Sequence, residues 1–219
     1  MKVACFIPIK SNSERVKGKN FRILNGKKLY EYIIQSAITA ECFDDVYIDT
    51  DSEEIKIYAK ELGAKIIDRK KELTSNMANG NDLLVHHFNL YSNYDYYFQL
   101  FATSPFLSSK TIKKCVEIIS NTSEHDSIFT AISRKGFFWF NELPINYRPG
   151  VLPRSQDLKP LYEESTGIYG ISKEALEKYK CRIGYKPYVY EINQIEAVDI
   201  NNEEDLLWAE WISANSKNI

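Results

Sequence analysis

Residues 3–20 read VACFIPIKSNSERVKGKN, an apolar run that passes directly into a loop of small polar and basic residues. Residues 3–9 carry no charged side chain, which is typical of a strand buried on both faces of a parallel sheet. In an α/β fold the loop after such a strand often binds a ligand, because ligands bind beyond the carboxyl ends of the strands. The stretch therefore predicts an α/β protein with a cationic first loop.

Positive charge is concentrated at the start of the chain. Residues 1–30 contain eight Lys or Arg and one acid, a charge of +7, so the formal net charge of −2 leaves −9 for the remaining residues. A basic site in an acidic body favours a small anionic ligand over a long polyanion. We therefore expect neither a nucleic-acid partner nor binding to a membrane surface.

Strand-like and helix-like patterns alternate along the rest of the chain. Further strands are expected at 45–50, 64–67, 96–101, 127–132, 167–171, 187–192 and 195–200, with helices between them and a last helix from Asn202 to about Ser213. Asp51, Ser109 and Ser172 are expected to cap helices, because each precedes an apolar pattern of helical period. The alternation predicts a doubly wound, mostly parallel sheet in a single domain, 1–219.

Residues 133–165 interrupt this alternation. They are rich in proline and aromatic residues and contain no long periodic run, which indicates an inserted arm or flap. Phe137, Phe138, Trp139 and Phe140 cannot all face one core. They form either a strand buried on two sides or an aromatic surface for a second subunit or a substrate.

The cysteines and the N-terminal residues indicate the cellular compartment of the protein. The four cysteines are far apart and lack metal-ligand spacing, so we expect reduced, mostly buried thiols. Pro8, Lys10 and the polar loop interrupt the apolar start, which argues against a signal peptide, and no stretch approaches the roughly 18 apolar residues of a membrane span. A cytoplasmic protein without membrane insertion is expected. His86, His87 and His125 lack zinc-ligand spacing and are expected to be structural or solvated.

Taken alone, the basic loop has two interpretations. It is either a solvated charged turn or a cradle in which backbone N–H groups and cationic side chains hold phosphates. It matches neither the P-loop pattern nor the dinucleotide pattern G-x-G-x-x-G.

The spacing within the loop favours the second interpretation. Residues 7–20, IPIKSNSERVKGKN, resemble the signature I-P-A-R-x-x-S-x-x-x-P-G-K-N of the sugar-acid cytidylyltransferases, the enzymes that make CMP-sialic acid and CMP-Kdo. The positions in register are Lys10, Ser13, Gly18, Lys19 and Asn20. Segments resembling the family's later motifs follow in the same order: KELTSNMANGNDLLVHH (71–87), FATSPF (101–106), LPRSQDLKPLY (152–162) and AVDINNEEDLLWAE (197–210).

The chain also departs from the family pattern. Lys10 replaces the first arginine and loses its bidentate fork, and Asn201 replaces the second metal-binding aspartate. On the acceptor side, Phe101 and Ala102 replace Gln-Pro, and Leu107 replaces a basic residue. The resemblance therefore implies a cytidylyltransferase-like enzyme with an altered acceptor pocket, in the fold of nucleotide-diphospho-sugar transferases, with a Rossmann-like sheet.

The resemblance implies a reaction and a set of roles. A hydroxyl of an acidic sugar, such as a sialic-acid-like nonulosonate, would attack the α-phosphate of CTP and release pyrophosphate, with Mg²⁺ or Mn²⁺ bound. The implied catalytic residues are Lys10, Arg15 and Lys19; the nucleotide-binding residues are Ser11, Asn12, Ser13, Asn20, Ala78, Asn79 and Gly80; the acceptor-binding residues are Phe101, Thr103, Ser104, Arg154, Gln156 and Tyr162; and the metal ligands are Asp199 and Asn201.

Alternatives remain for several of these positions. Asn201 and Asn202 could simply cap the last helix, Arg154 could be a surface arginine beside Asp157, and Lys17 could be solvated. The acceptor could be another sugar, a sugar phosphate or a phosphonate, and a catalytically silent nucleotide-binding protein is a third possibility. The resemblance also implies a homodimer in which the 133–165 arm crosses between subunits.

Overall fold

A seven-stranded sheet forms the centre of the computed structural model, which describes residues 1–13, 16–74 and 78–215. The strands are β1 (Val3–Ile9), β2 (Ile23–Leu24), β3 (Lys27–Lys28), β4 (Asp45–Thr50), β5 (Lys65–Asp68), β6 (Tyr96–Leu100), β7 (Ser127–Arg134), β8 (Trp139–Phe140), β9 (Leu143–Pro144), β10 (Leu161–Ser172) and β11 (Pro187–Glu191). The helices are α1 (Leu29–Thr39), α2 (Glu53–Glu61), α3 (Gly80–Leu90), α4 (Ser109–Ser120), α5 (Lys173–Tyr179) and α6 (Glu203–Asn215).

The central sheet is mostly parallel, as the sequence predicts. Its order is β11-β7-β10-β6-β1-β4-β5. Strand β1 pairs in parallel with β4 and β6, β4 with β5, and β7 with β11, whereas β10 runs antiparallel to both of its neighbours. The carboxyl ends of β1, β4 and β6 therefore lie at one edge of the sheet, where a ligand cleft is expected.

Strand β1 is buried on both faces, which explains its unbroken apolar sequence. Val3, Cys5, Ile7 and Ile9 pack into a core with α1, α2 and α4. The alternate residues, which include Phe6, pack on the opposite face with α3 and α5. Because successive strand side chains point to opposite faces, a doubly covered strand needs apolar residues at every position.

The prediction of a strand at 195–200 is wrong. Residues 194–197 form a turn, and residues 198–200 have no regular secondary structure and join no strand of the described sheet. Val198 and Ile200 are buried because they pack with α6 in a third apolar cluster. Contact with a helix therefore produced the alternating apolar pattern that is normally typical of a strand.

Two of the three predicted helix caps are displaced by one residue. Ser52 rather than Asp51 caps α2, and Ser108 rather than Ser109 caps α4; each hydroxyl accepts a hydrogen bond from a backbone N–H in the first turn. Ser172 caps α5 as predicted. The Asp51 carboxylate instead accepts two hydrogen bonds from Ser11.

The aromatic segment of the arm lies at the surface. Trp139 is 57% and Phe140 is 67% exposed, so the interpretation as a strand buried on two sides is wrong. These residues form the short antiparallel hairpin of β8 and β9. The contribution of this arm to a dimer stays a prediction.

The described cysteines are all free thiols, two of them fully buried and two half-buried. Burial raises the pKa of the Cys42 thiol to about 11. Within the described part of the chain, no helix has the length and apolar character needed to cross a membrane.

Candidate active site

A cleft of about 550 Å³ opens at the carboxyl ends of β1 and β6. It brings together side chains from segments that are far apart in sequence. The residues that line it are Pro8, Lys10, Ser13, Lys19, Asn20, Arg69, Leu73, Ala78, Asn79, Gly80, Leu83, Phe101, Ala102 and Thr103. Nine of the sequence-predicted site residues are among them: Lys10, Ser13, Lys19, Asn20, Ala78, Asn79, Gly80, Phe101 and Thr103.

The basic loop is held in place by hydrogen bonds at both ends. The Ser11 backbone N–H and hydroxyl donate to the Asp51 carboxylate at 2.6 and 2.7 Å. Desolvation raises the pKa of Asp51, but the hydrogen bonds from Ser11 outweigh it and the net pKa is lowered, so the tether is ionised at neutral pH. The Asn20 amide donates to the Lys10 carbonyl at 2.9 Å, which draws the far end of the loop back onto β1.

Lys19 connects the basic loop to the Asp199 segment. Its ammonium group is almost fully buried and donates a 2.6 Å hydrogen bond to the Ile200 carbonyl. The Ile200 N–H in turn donates to the Thr103 carbonyl at 2.9 Å, so this segment is held against the loop after β6. The basic loop and Asp199 therefore lie on the same side of the molecule. Arg15 and Glu14 lie outside the described residues.

Asp199 has one satisfied and one unsatisfied carboxylate oxygen. Its Oδ2 accepts hydrogen bonds from Thr166 Oγ1 at 2.8 Å and from the Asn201 amide at 2.6 Å. Its Oδ1 is buried without a donor among the described residues. Thr166 reaches it from a left-handed backbone conformation, φ 54°, which is strained for a β-branched residue. A buried carboxylate oxygen left without a donor suits a hard divalent cation.

The described residues contain no group of three His, Cys, Asp or Glu side chains that could hold a metal ion by themselves. An ion at Asp199 would therefore take most of its ligands from phosphate oxygens and water, which is common for Mg²⁺. Asp199 and Asn201 are not among the residues that line the first cleft. They line a second cleft of about 530 Å³, together with Thr166, Trp208 and Trp211.

The cap of α6 separates the roles of the two asparagines. Asn202 Oδ1 accepts from the Asp205 N–H at 2.9 Å, and the Asp205 carboxylate accepts from the backbone N–H groups of Asn201 and Asn202. This reciprocal arrangement is a capping box. Asn202 is therefore the cap, whereas the Asn201 side chain contacts Asp199.

The remaining predicted site residues lie away from the first cleft. Ser104 is fully buried against Gly167, with its hydroxyl unpartnered among the described residues. Arg154, Gln156 and Tyr162 are exposed on the arm side. Arg154 donates to Asp157 at 2.7 and 3.2 Å, which agrees with the alternative of a surface ion pair. Asn12 is exposed at the start of the basic loop.

The comparison with known proteins identifies the family. The family model described as cytidylyltransferase matches residues 4–210. The chain belongs to the cytidylyltransferase family. It is 31% identical over 227 residues to a pseudaminic acid cytidylyltransferase of Campylobacter jejuni, covering 95% of both chains. It is 29% identical over 220 residues to an N-acylneuraminate cytidylyltransferase of Streptococcus agalactiae, covering 94% of this chain and 52% of that protein.

The resemblance drawn from the sequence motifs is thus confirmed at the level of the family. The chain spans about half the length of the N-acylneuraminate cytidylyltransferases that it matches. A solved structure of CMP:2-keto-3-deoxy-manno-octonic acid synthetase complexed with CTP has the same fold, with a TM-score of 0.73 at 16% identity, covering 99% of this chain and 100% of that one.

The sequence motifs of this member of the cytidylyltransferase family did not predict a buried ion pair beside the cleft. Arg69 donates to both Asp49 oxygens, at 3.0 and 3.1 Å, and His87 Nε2 lies 2.9 Å from Asp49 Oδ2. Desolvation raises the pKa of Asp49, but His87 and Arg69 outweigh it and the net pKa is lowered. This network holds the Arg69 side chain where it lines the cleft, and it confirms His87 as a structural histidine.

A sequence signal for this pair was available. Asp49 directly follows three apolar residues of its strand, Val46–Ile48, and Arg69 directly follows the next strand of the chain. Because β4 and β5 are parallel neighbours, their carboxyl ends meet, and a buried carboxylate requires a cationic partner.

Proposed function

We propose that this chain transfers CMP from CTP to a hydroxyl of an acidic sugar, such as a sialic-acid-like nonulosonate, and releases pyrophosphate. The observation that carries the proposal is the cleft in which Lys10 and Lys19 meet the Asn79–Gly80 turn, with Asp199 one residue from the Lys19 contact. Membership of the cytidylyltransferase family supports the same conclusion.

The chain contributes positioning and charge to this reaction. Lys10 and Lys19 bind the phosphates of CTP and stabilise the negative charge that the leaving pyrophosphate acquires. Arg15 is proposed to assist them. The acceptor hydroxyl loses its proton to solvent and its oxygen bonds to the α-phosphorus, while the bond from that phosphorus to the bridging oxygen breaks. Holding the two reactants together lowers the entropic part of the barrier.

The nucleoside lies against α3 in this proposal. Asn79 caps α3, accepting hydrogen bonds from the backbone of Asn81 and Asp82, so its backbone position is fixed. Ala78 and Gly80 flank it and line the part of the cleft where the ribose and cytosine would bind. Asn20 adds a side-chain amide, a group that can pair with both the amine and the carbonyl of cytosine.

The residues around Asp199 fit a divalent cation. Asp199, through its unpaired oxygen, would hold Mg²⁺ or Mn²⁺ with Asn201 beside it, and the bound ion would neutralise phosphate charge and polarise the α-phosphate. The Thr166 and Asn201 hydrogen bonds fix the carboxylate in a single orientation before the nucleotide binds.

The acceptor is proposed to bind beside Phe101 and Thr103. Arg154, Gln156 and Tyr162 contribute only if the arm of a second subunit reaches this cleft, so we propose a cytoplasmic homodimer in which the arms cross. Solution scattering at micromolar concentration tests this: a particle of twice the chain mass, 25.4 kDa, is expected, and a monomer would contradict it.

Pyrophosphate release tests the activity. Wild-type protein is assayed with each of the four NTPs and with N-acetylneuraminic acid, pseudaminic acid, 2-keto-3-deoxy-manno-octonic acid, a sugar 1-phosphate and a phosphonate. We expect release with CTP and one of the acidic sugars, dependent on added Mg²⁺. Turnover only with the sugar phosphate or the phosphonate would show that the acceptor is not an acidic sugar. CTP binding without turnover of any acceptor would show that the protein is a catalytically silent nucleotide-binding protein.

A matched pair of variants tests Asp199. Asp199→Asn keeps the size of the side chain but removes its charge, and should lower kcat/KM about 100-fold and raise the Mg²⁺ concentration needed for half-maximal rate. Glu203→Gln removes an exposed carboxylate nearby, paired with Arg22 at 3.3 Å, and should leave both quantities unchanged. Equal losses in the two variants would argue against a metal ligand at Asp199.

A further inference from the structure

Arg182 lies next to Gly80 and Phe101, two residues that line the first cleft, although it is not itself among the lining residues. Its guanidinium carbon lies 3.7 Å from the centroid of the Tyr169 ring and 5.7 Å from that of Phe101. Its Nη2 donates to the Tyr169 hydroxyl at 3.1 Å, and that hydroxyl donates to Glu164 at 2.8 Å. Its backbone N–H donates to the Asn81 side chain at 3.0 Å. Stacking and hydrogen bonding thus fix the plane of the guanidinium group.

A glycine makes room for this group. The Arg182 Nη1 atom lies 2.6 Å from the position that a Cβ would occupy at Gly80, a contact that a real side chain could not make. Gly80 and Phe101 both line the cleft. The absence of a side chain at Gly80 therefore lets a cation reach the cleft wall between these two residues.

Arg182 forms no direct ion pair with a carboxylate of the described chain, and its link to Glu164 runs through the Tyr169 hydroxyl. No acidic oxygen of the described chain lies within 4.0 Å of its nitrogen atoms, whereas Arg69, Arg134 and Arg154 each have such a partner. A half-buried guanidinium group normally has an anionic partner, because desolvation is costly without one. The planar fork can bind a carboxylate through two parallel hydrogen bonds.

A second polar group at the same place also lacks a partner. Gln99 is fully buried, and its amide nitrogen donates to the Gly80 carbonyl at 2.9 Å. Its Oε1 has no donor among the residues described and lies 3.3 Å from the same Gly80 Cβ position. A buried acceptor without a donor destabilises the folded chain, and a ligand hydroxyl or amide N–H at this place would supply the missing donor.

We infer that Arg182 is a specificity-determining residue that binds the carboxylate of the acidic acceptor, beside Gly80 and Phe101. The inference rests on the proposed function and assigns a residue to the acid group of its acceptor. The acceptor then lies against β6 and β10, while the phosphates of CTP lie against β1. Lys10 and Lys19 serve the nucleotide and Arg182 serves the acceptor, so the two anionic reactants have separate cationic partners.

The test compares an acid with its neutral analogue. The acidic sugar that the wild type turns over fastest is assayed beside the carboxamide that replaces its carboxylate. The wild type should prefer the acid by roughly 10- to 100-fold in kcat/KM, the range expected for charge-assisted hydrogen bonds. Arg182→Gln should reduce this preference to within about threefold, chiefly by raising KM for the acid, with Kd for CTP within about twofold of wild type.

Three further variants separate charge, geometry and folding. Arg182→Lys retains the charge without the fork and should keep part of the preference, and Tyr169→Phe removes the orienting hydroxyl and should lose part of it. Lys178→Gln neutralises an exposed lysine that lies 5.1 Å from the Tyr179 ring in the same segment, and should change nothing. The thermal unfolding midpoint of each variant is recorded. If Arg182→Gln does not fold, the acid preference of Arg182→Lys and Tyr169→Phe tests the role of Arg182 instead.

The outcomes distinguish this inference from the function on which it rests. Acid preference unchanged in Arg182→Gln, or a loss of CTP affinity in place of acceptor affinity, would overturn the role of Arg182 and leave the cytidylyl transfer intact. A wild type that turns over none of the acidic sugars would overturn the proposed function and this inference together.

Discussion

The nucleotide side of the cleft and the arm are built differently. On the nucleotide side, Asp49, Arg69 and His87 form a buried network, and Lys19 is fixed by a backbone carbonyl. On the arm, Arg154 and Asp157 form an ion pair whose side chains are 74% and 48% exposed, and the aromatic residues of β8, Trp139 and Phe140, are exposed. The nucleotide side is preorganised within one chain, whereas the arm has no covering element in the described chain.

This difference affects how freely each region can change in sequence. The triphosphate of CTP carries the same charges whatever the acceptor is, so one rigid set of cationic groups can bind it in every case. Acceptors vary in their substituents, and an exposed arm can change without disturbing the core.

Breaking the buried network should produce the largest loss of stability. Asp49→Asn leaves Arg69 without its carboxylate in a site where the two side chains are 3% and 1% exposed, and should lower the free energy of unfolding by about 3–5 kcal/mol. Asp157→Asn breaks the exposed arm pair and should change it by less than about 1 kcal/mol. Urea unfolding of both variants is the measurement. Similar losses would mean that the two regions do not differ as described.

Neutralising the buried lysine of the basic loop should produce the largest loss of activity. Lys19→Met keeps the aliphatic stem and removes the charge, and should lower kcat/KM for CTP by about 10²–10³-fold. Lys17 is exposed on the same loop, so Lys17→Met is the matched control and should stay within about twofold. Steady-state pyrophosphate release measures both. A comparable loss of kcat/KM in Lys17→Met would mean that the net charge of the loop, and not the position of Lys19, determines the rate.

Acid should weaken the protein through the same network. The folded-state pKa of Asp49 lies below its ordinary value, 3.8, so its stabilising effect is complete above that pH and is lost as pH falls through the lowered pKa. The free energy of unfolding of the wild type should therefore fall more steeply below about pH 4 than that of Asp49→Asn. Denaturant melts between pH 2 and pH 7 provide the comparison. Parallel curves would show that Asp49 contributes nothing to the acid dependence.

The smallest change in intrinsic stability is expected on the arm. Phe140 is 67% exposed, so Phe140→Ser should alter the unfolding free energy of the single chain by at most about 0.5 kcal/mol. The same change should shift the proposed dimer toward monomer in sedimentation experiments, because it removes apolar area from the contact surface. Glu142→Gln alters an exposed polar residue of the same hairpin and should leave sedimentation unchanged. If Phe140→Ser sediments as the wild type does, the aromatic residues of the arm do not contribute to the contact between subunits.

The sequence predicted most of the elements because their signals are local. The apolar run of β1 and the helical spacing of Ile112, Cys115 and Ile119 depend only on neighbouring residues. The wrong prediction of a strand at 195–200 has the same origin. An alternating apolar pattern indicates that one face of a segment is buried, but it does not indicate whether a sheet or a helix covers that face. The Asp51 and Ser109 cap predictions failed by one residue, a shift that local pattern cannot resolve.

The sequence by itself determined the α/β class, the cationic first loop and the family, since each depends on residue type and on spacing along the chain. Only the tertiary structure decided which carboxylate meets Arg69, where the Lys19 ammonium group ends, and that Arg182 reaches Gly80 from 102 positions further along the chain. The reason is physical: sheet order and strand direction bring these groups together, and such long-range contacts are set by packing of the whole chain, which no local period encodes.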